Sequence, residues 1–270
     1  MNNLIAAFIA ISLYLVGTMM LMSRLREYAP VLSLGKTAAL IPGFLALAVH
    51  VFTLEQSMVS PIGINLGFFN ALSLIAAFIA LFTLVSTIRH PVEMLGILVL
   101  PLAALSIAID QSTHSSHLLA PGSSYGLIFH VLTSLIAYSV LALAALHAIA
   151  LSVQNSYLHS HQPGGIIRLM PPLKTMETML FETIVTGFVF LSISLGSGLV
   201  FLDNMFAQQL AHKTVLSILA WCVFAILLLG RWLLGWRGRT AIRWTLGGFI
   251  SLMLAYFGSK FVLEILLGQS

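Results

Sequence analysis

Eight apolar stretches run through this chain of 270 residues, at about 3–22, 37–54, 65–87, 93–110, 125–153, 178–202, 213–232 and 243–266. A membrane-crossing helix needs about 17–25 predominantly apolar residues, so each stretch is long enough to span a bilayer. Backbone N–H and C=O groups find no partner in lipid, and stretches of this length satisfy them as helices rather than open strands. Composition closes the soluble alternative. Only 7% of the residues are Asp, Glu, Lys or Arg, against about 25% in an ordinary soluble domain. That is too little charge to wet a soluble surface of this size, and soluble enzyme folds are excluded. The expected fold is all-α: a polytopic membrane helix bundle of about eight transmembrane helices, forming a single integral membrane domain over 1–270.

The few charges are ordered. The first, third, fifth and seventh connections hold Arg24, Arg26 and Lys36; Arg89; Arg168 and Lys174; and Arg231, Arg237, Arg239 and Arg243. The opposite side has only Lys213 and Lys260. Basic loops stay in the cytoplasm, so both termini are expected outside, on the periplasmic face of a bacterial inner membrane. The first stretch lacks a basic leader and a small-residue cleavage pattern, and reads as an uncleaved anchor. The basic balance follows from topology and implies no nucleic-acid partner. Trp232, Trp236 and Trp244 bracket the Gly235-Trp236-Arg237-Gly238-Arg239 turn, as an interfacial aromatic belt does. Cys222 stands alone in an apolar run, which excludes a disulfide framework.

Nine histidines against eight carboxylates is a high ratio for so apolar a chain. His90, His159 and His161 fall in connections on the basic side, and His114 and His117 in one on the other side. The last two have metal-compatible spacing but no third ligand. Four more lie in or at the ends of helices. His50, His130 and His212 are expected at similar depth, near the outer rim. His147 follows His130 by 17 residues, which places it roughly 26 Å deeper, so one ligand cannot be held by both.

Three rim imidazoles suit a ligand that takes neutral nitrogen donors. Haem iron accepts two axial histidines, and its flat apolar macrocycle suits a membrane groove. Zinc would need a third or fourth donor, such as Asp203 or Glu55. Three unrelated helix-end histidines would show the same spacing. Lys213, directly after His212 at a helix start, favours an anionic, haem-like ligand, because a helix N-terminus and an ammonium together suit a propionate. An interfacial lysine reaching for water explains Lys213 equally. Ser123, Ser124 and Tyr125 offer hydroxyls at the matching end of the fifth stretch.

Glu93, Asp110, Glu182 and Glu264 all fall near helix ends, and no acidic relay of the kind a proton-coupled pump carries lies at mid-bilayer. Asn70 and Ser73 are the clearest internal polar pair, and interhelical hydrogen bonding accounts for them. Phosphate-loop, dinucleotide and nucleophile-elbow motifs are absent, so transferase or hydrolase chemistry has no visible machinery.

Phe129-His130-Val131-Leu132 with Ala137-Tyr138, the run from Lys213 through Trp221, and the tail from Gly235-Trp236-Arg237-Gly238-Arg239 through Leu254-Ala255-Tyr256-Phe257-Gly258 resemble the membrane domain of the cytochrome c assembly proteins. The resemblance covers about 125–265 well and the first 110 residues more loosely, through His50 and Asn65 to Asn70. It implies haem binding at the outer face, with haem b as cofactor and His130 as an iron ligand, and a role in haem handling or c-type cytochrome biogenesis. There are departures. The tryptophan-rich loop of the haem-lyase members has no counterpart in Asp203 to His212. Their histidine at the end of the seventh helix is replaced around Leu229-Gly230, and their second external histidine has no equivalent before Ser270. His212 is then the candidate second axial ligand, and His50 a reserve ligand or a supporting residue. This makes a haem-handling factor, acting with a possible membrane partner, rather than a complete lyase. The competing expectations are a transporter, or an accessory subunit of an ion transporter, without haem, and a scaffold for a partner membrane complex.

Overall fold

The computed structural model describes residues 3–25, 35–60, 63–113, 118–119, 125–159, 170–201 and 211–258. The described residues form eight helices: α1 (Asn3–Leu25), α2 (Lys36–Met58), α3 (Phe68–Arg89), α4 (Glu93–Ser112), α5 (Tyr125–His159), α6 (Leu173–Phe201), α7 (Ala211–Leu234) and α8 (Arg239–Met253). The first seven are long and apolar enough to cross a membrane. The polytopic helical membrane bundle expected from the sequence is what forms. α8 runs on into a π-helical turn, Leu254–Gly258, and the rest of the eighth apolar stretch lies outside the described residues.

Contacts divide the chain into two compact units, Met1–Pro121 with Arg168–Pro171, and Gly122–Ile167 with Pro172–Ser270. In the first unit α1 packs on α2 and α4, and α3 packs on α2 and α4, which closes a ring of four helices. The second unit repeats the pattern, with α5 on α6 and α8, and α7 on α6 and α8. Three short strands accompany the first unit. β1 (Val59–Ser60), β2 (Gly63–Asn65) and β3 (Leu118–Leu119) pair antiparallel, with Val59 opposite Ile64 and Ile64 opposite Leu119. Segments of two or three residues carry no readable alternation, so nothing in the sequence pattern announces them.

Side-chain size explains why these helices associate. On α1 the buried face is Ala6, Ala7, Ala10, Tyr14, Gly17, Thr18 and Leu21, spaced three and four apart as on one helix face. Leu4, Ile5, Phe8, Leu15, Val16 and Met19 point outward and are exposed. Small residues inside and large apolar ones outside is the arrangement of helices that pack in lipid, where close backbone approach rather than water exclusion drives association. The backbones of α1 and α2 come close at Gly17, where an added Cβ would sit 3.3 Å from the Gly43 backbone nitrogen on α2. Pro42 precedes that glycine inside α2; membrane helices tolerate such a proline because neighbouring groups re-satisfy the backbone.

The first unit also buries a polar chain at its centre. Tyr14 Oη lies 3.2 Å from His50 Nδ1, and His50 Nε2 lies 2.9 Å from Ser73 Oγ, which links α1, α2 and α3. At the end of α2 remote from β1, Lys36 Nζ donates to the His90 carbonyl at 2.8 Å and faces Glu93 at 3.9 Å. Gly17→Leu is expected to force α1 off α2 and to destabilise the protein by about 1–3 kcal/mol, as overpacking does. Thermal unfolding in detergent checks this, with Gly35→Ala as a control, because among the described residues an added Cβ at Gly35 would meet just the Thr37 hydroxyl, at 4.0 Å.

Candidate functional site

The second unit holds a half-open cavity of about 340 Å³, within the size range of organic-ligand pockets. Each of its helices contributes a wall. α5 supplies Leu127, His130, Val131, Ser134 and Tyr138; α6 supplies Leu191, Ser194 and Leu195; α7 supplies Lys213, Thr214 and Ser217. Leu252, Ala255 and Tyr256 come from the end of α8 and its π-helical turn. The cavity therefore lies where α5 and α7 begin and α6 and α8 end, away from the Gly235–Arg239 turn. Six of its fourteen lining residues are aliphatic and two are tyrosines, and Lys213 is the one cation among the described residues that line it.

The half-buried His130 is fixed from α6. Its Nδ1 lies 2.9 Å from the Ser194 carbonyl oxygen and 3.2 Å from Ser197 Oγ. A carbonyl only accepts, so Nδ1 carries the proton, and Nε2 is left with the lone pair in the neutral ring. This is the arrangement in which histidine binds metals, since the bond from the far nitrogen sets both tautomer and ring orientation. Ser197 Oγ donates to the same Ser194 carbonyl at 2.8 Å. Ser134 Oγ donates to the His130 carbonyl at 2.6 Å, and its oxygen lies 2.6 Å from Ser194 Oγ. Having spent its proton on the backbone, Ser134 receives the one from Ser194. The result is a continuous seam from α5 to α6 under the imidazole.

Deeper in the unit, Trp221 Nε1 donates to Ser192 Oγ at 2.9 Å and its ring stacks on Phe188 with centroids 5.3 Å apart, tying α7 to α6. Tyr138 packs against Phe249 and Tyr256 at 5.5 and 5.8 Å between centroids. Ser251 Oγ reaches the Leu216 carbonyl at 3.1 Å. These contacts hold the walls without filling the space.

The expected site residues divide. His130 and Lys213 line this one cavity. His212 is the second residue of α7, immediately before Lys213, and its side chain lies outside the described residues, as do Asp203, His114, His117, Ser123 and Ser124. His50 belongs to the other unit, fully buried, with both ring nitrogens in hydrogen-bonding contact. Glu55 is exposed on α2 of that unit. His147 is buried on α5. Among the described residues no group of three or more His, Cys, Asp and Glu could hold a metal ion. Sequence reasoning missed Ser134, Ser194 and Ser197. The signal was available, because hydroxyls in a membrane helix seek partners on a neighbouring helix, and Ser192, Ser194 and Ser197 interrupt one apolar run.

Of the described lining residues, His130 could offer a cofactor's metal a nitrogen donor and Lys213 could offer an anionic group an ammonium. The model for cytochrome c assembly proteins matches residues 38–267. The chain belongs to the cytochrome c assembly protein family. Among its relatives, inner membrane protein YpjD of Escherichia coli is 31% identical over 230 residues, covering 84% of this chain and 87% of its own. Cytochrome c biogenesis protein CcsA of Chlamydomonas reinhardtii is 27% identical over 180 residues, 64% of this chain and 50% of that protein. An uncharacterized 28.8 kDa protein of Azospirillum brasilense is 34% identical over 141 residues, 52% of each chain. No solved structure matches. The match of the family model begins within α2 and so takes in most of the first unit, where the resemblance read from the sequence is looser.

The His130 tautomer is directly measurable. Nitrogen-15 spectra of selectively labelled protein are expected to show Nδ1 protonated and Nε2 not. Ser197→Ala should keep that pattern, because the Ser194 carbonyl remains. An Nε2-protonated ring in the unmodified protein would contradict the geometry.

Proposed function

We propose that this protein binds haem b at the α5–α8 cavity, with His130 Nε2 as one axial ligand and His212 as the other. It handles haem in cytochrome c biogenesis or haem transport. The observation that carries the reading is the His130 ring, held by its Nδ1–H so that the opposite nitrogen keeps a lone pair beside an apolar cavity. Lys213, at the start of α7, offers a propionate both an ammonium and the positive end of a helix. The leucines of α5, α6 and α8 exclude water from the macrocycle. Iron supplies the redox and ligand-exchange chemistry when haem is bound; the chain supplies orientation, charge balance and a dry wall. His50, engaged at both nitrogens, supports the first unit rather than ligating iron.

The placement of ten of the twelve basic residues in alternate connections supports a cavity toward the periplasmic face of a bacterial inner membrane. The description of YpjD as an inner membrane protein supports that location, and the description of CcsA as a cytochrome c biogenesis protein supports the pathway. Without a tryptophan-rich loop between α6 and α7, the protein acts as a haem-handling factor rather than a complete lyase, delivering to or receiving from a membrane partner.

The test is the visible spectrum of protein purified from haem-replete cells. A Soret band is expected, and His130→Ala and His212→Ala should each lower haem affinity by about tenfold or more, since even supporting residues of metal ligands cost that much. Protein without a Soret band, or with one unchanged in both variants, removes the assignment.

A further inference from the structure

At the opposite end of the second unit, the Gly235–Arg239 turn is built with more care than a connection between two helices requires. Glu177 on α6 accepts the Gly238 N–H at 2.8 Å. Arg231 Nη1 donates to the Trp236 carbonyl at 3.2 Å, and the Trp236 N–H donates to the Gly230 carbonyl at 3.1 Å. The Trp236 ring lies so close over Gly230 that an added Cβ would collide with it. Gly235 and Gly238 take φ of +66° and +57°, where other residues are strained. Trp236 also packs on Trp244, with centroids 5.4 Å apart.

This rigid turn presents Arg237, Arg239 and Arg243 to the outside, all exposed. Among the described residues the ion pair is Lys36 with Glu93, within the first unit, and at the turn Glu177 Oε1 accepts a backbone N–H rather than a guanidinium. Arg239 opens α8, where a cation opposes the helix dipole. The Arg239 guanidinium therefore does not stabilise the helix it begins. Beside them Trp232, Leu233 and Leu234 are 70–78% exposed at the end of α7, so the turn sits at the depth where acyl chains give way to headgroups.

We propose that this turn binds the phosphodiester headgroup of an anionic phospholipid, with the three guanidinium groups on the phosphate and Trp232, Leu233 and Leu234 against the acyl chains. Guanidinium forks match phosphate oxygens bidentately. The flanking apolar residues favour a membrane-borne phosphate over a free one. The site is independent of haem binding.

The experiment uses the fluorescence of the full-length protein, in which three of the four tryptophans are at or beside the turn. Protein is reconstituted in phosphatidylcholine vesicles carrying a minor fraction of brominated phosphatidylglycerol, or the same fraction of brominated phosphatidylcholine. Greater quenching by the brominated anionic lipid is expected. The excess should vanish in an Arg237→Gln, Arg239→Gln, Arg243→Gln variant, each substitution weakening lipid association about fivefold. Arg→Lys at the same positions should retain part of it. Equal quenching in the two vesicles of the unmodified protein overturns the proposal and needs no variant. Loss of the excess on adding inorganic phosphate, at constant ionic strength, assigns the site to a free anion and overturns the lipid.

Discussion

A polar side chain inside a membrane bundle has no water to fall back on, and in both units the helices are registered by the partners such side chains find. Tyr14, His50 and Ser73 join three helices of the first unit. His130, Ser134, Ser194 and Ser197 join two helices of the second, and Trp221 with Ser192 adds the third. Such bonds contribute on average about 0.6 kcal/mol each in membranes, because the separated helices also find partners. They cannot by themselves hold the bundle together. Close contact between small faces, as at Gly17 and Gly43, supplies the association. The polar seams choose one register among those the small faces allow.

The same rule sets the chemistry at His130. A histidine on a lipid-facing helix surface would have no partner to fix its tautomer. Here the Ser194 carbonyl accepts from both Nδ1 and Ser197 Oγ, so the proton is localised on the side of α6. The nitrogen that remains basic is defined by a neighbouring backbone, not by acidity or metal. Lys213 is brought to the same cavity by a different helix, so a nitrogen donor and a cation converge without sharing an element.

Much of the fold was legible because apolar runs this long leave the backbone no alternative to helix. Helix order was not: which of eight similar helices touch depends on small-residue faces whose partners lie 26 or more positions apart, as Gly17 and Gly43 do. The rim position assigned to His50 follows from counting residues along one helix. Its burial against Tyr14 and Ser73 depends on two other helices, which no spacing within α2 encodes. His130 and Lys213 were found by residue type and helix end. The serines that orient the histidine went unread because a single hydroxyl in an apolar run has many possible uses, and only the rotation of α6 toward α5 selects one.

The end of α8 has a consequence for the cavity. The segment that carries Ala255 and Tyr256 into the wall is wound as a π-helix, a form that is rare because its wider turn sacrifices the tighter bonding of the α-form. Rewinding those five residues would turn Tyr256 about the axis relative to Leu252, while Leu252 stayed where Ser251 anchors it to α7. The ring would then leave Tyr138, and the aperture between α5 and α8 would change without any helix moving as a body. The volume open to a ligand is thus tied to the pitch of a single helical turn.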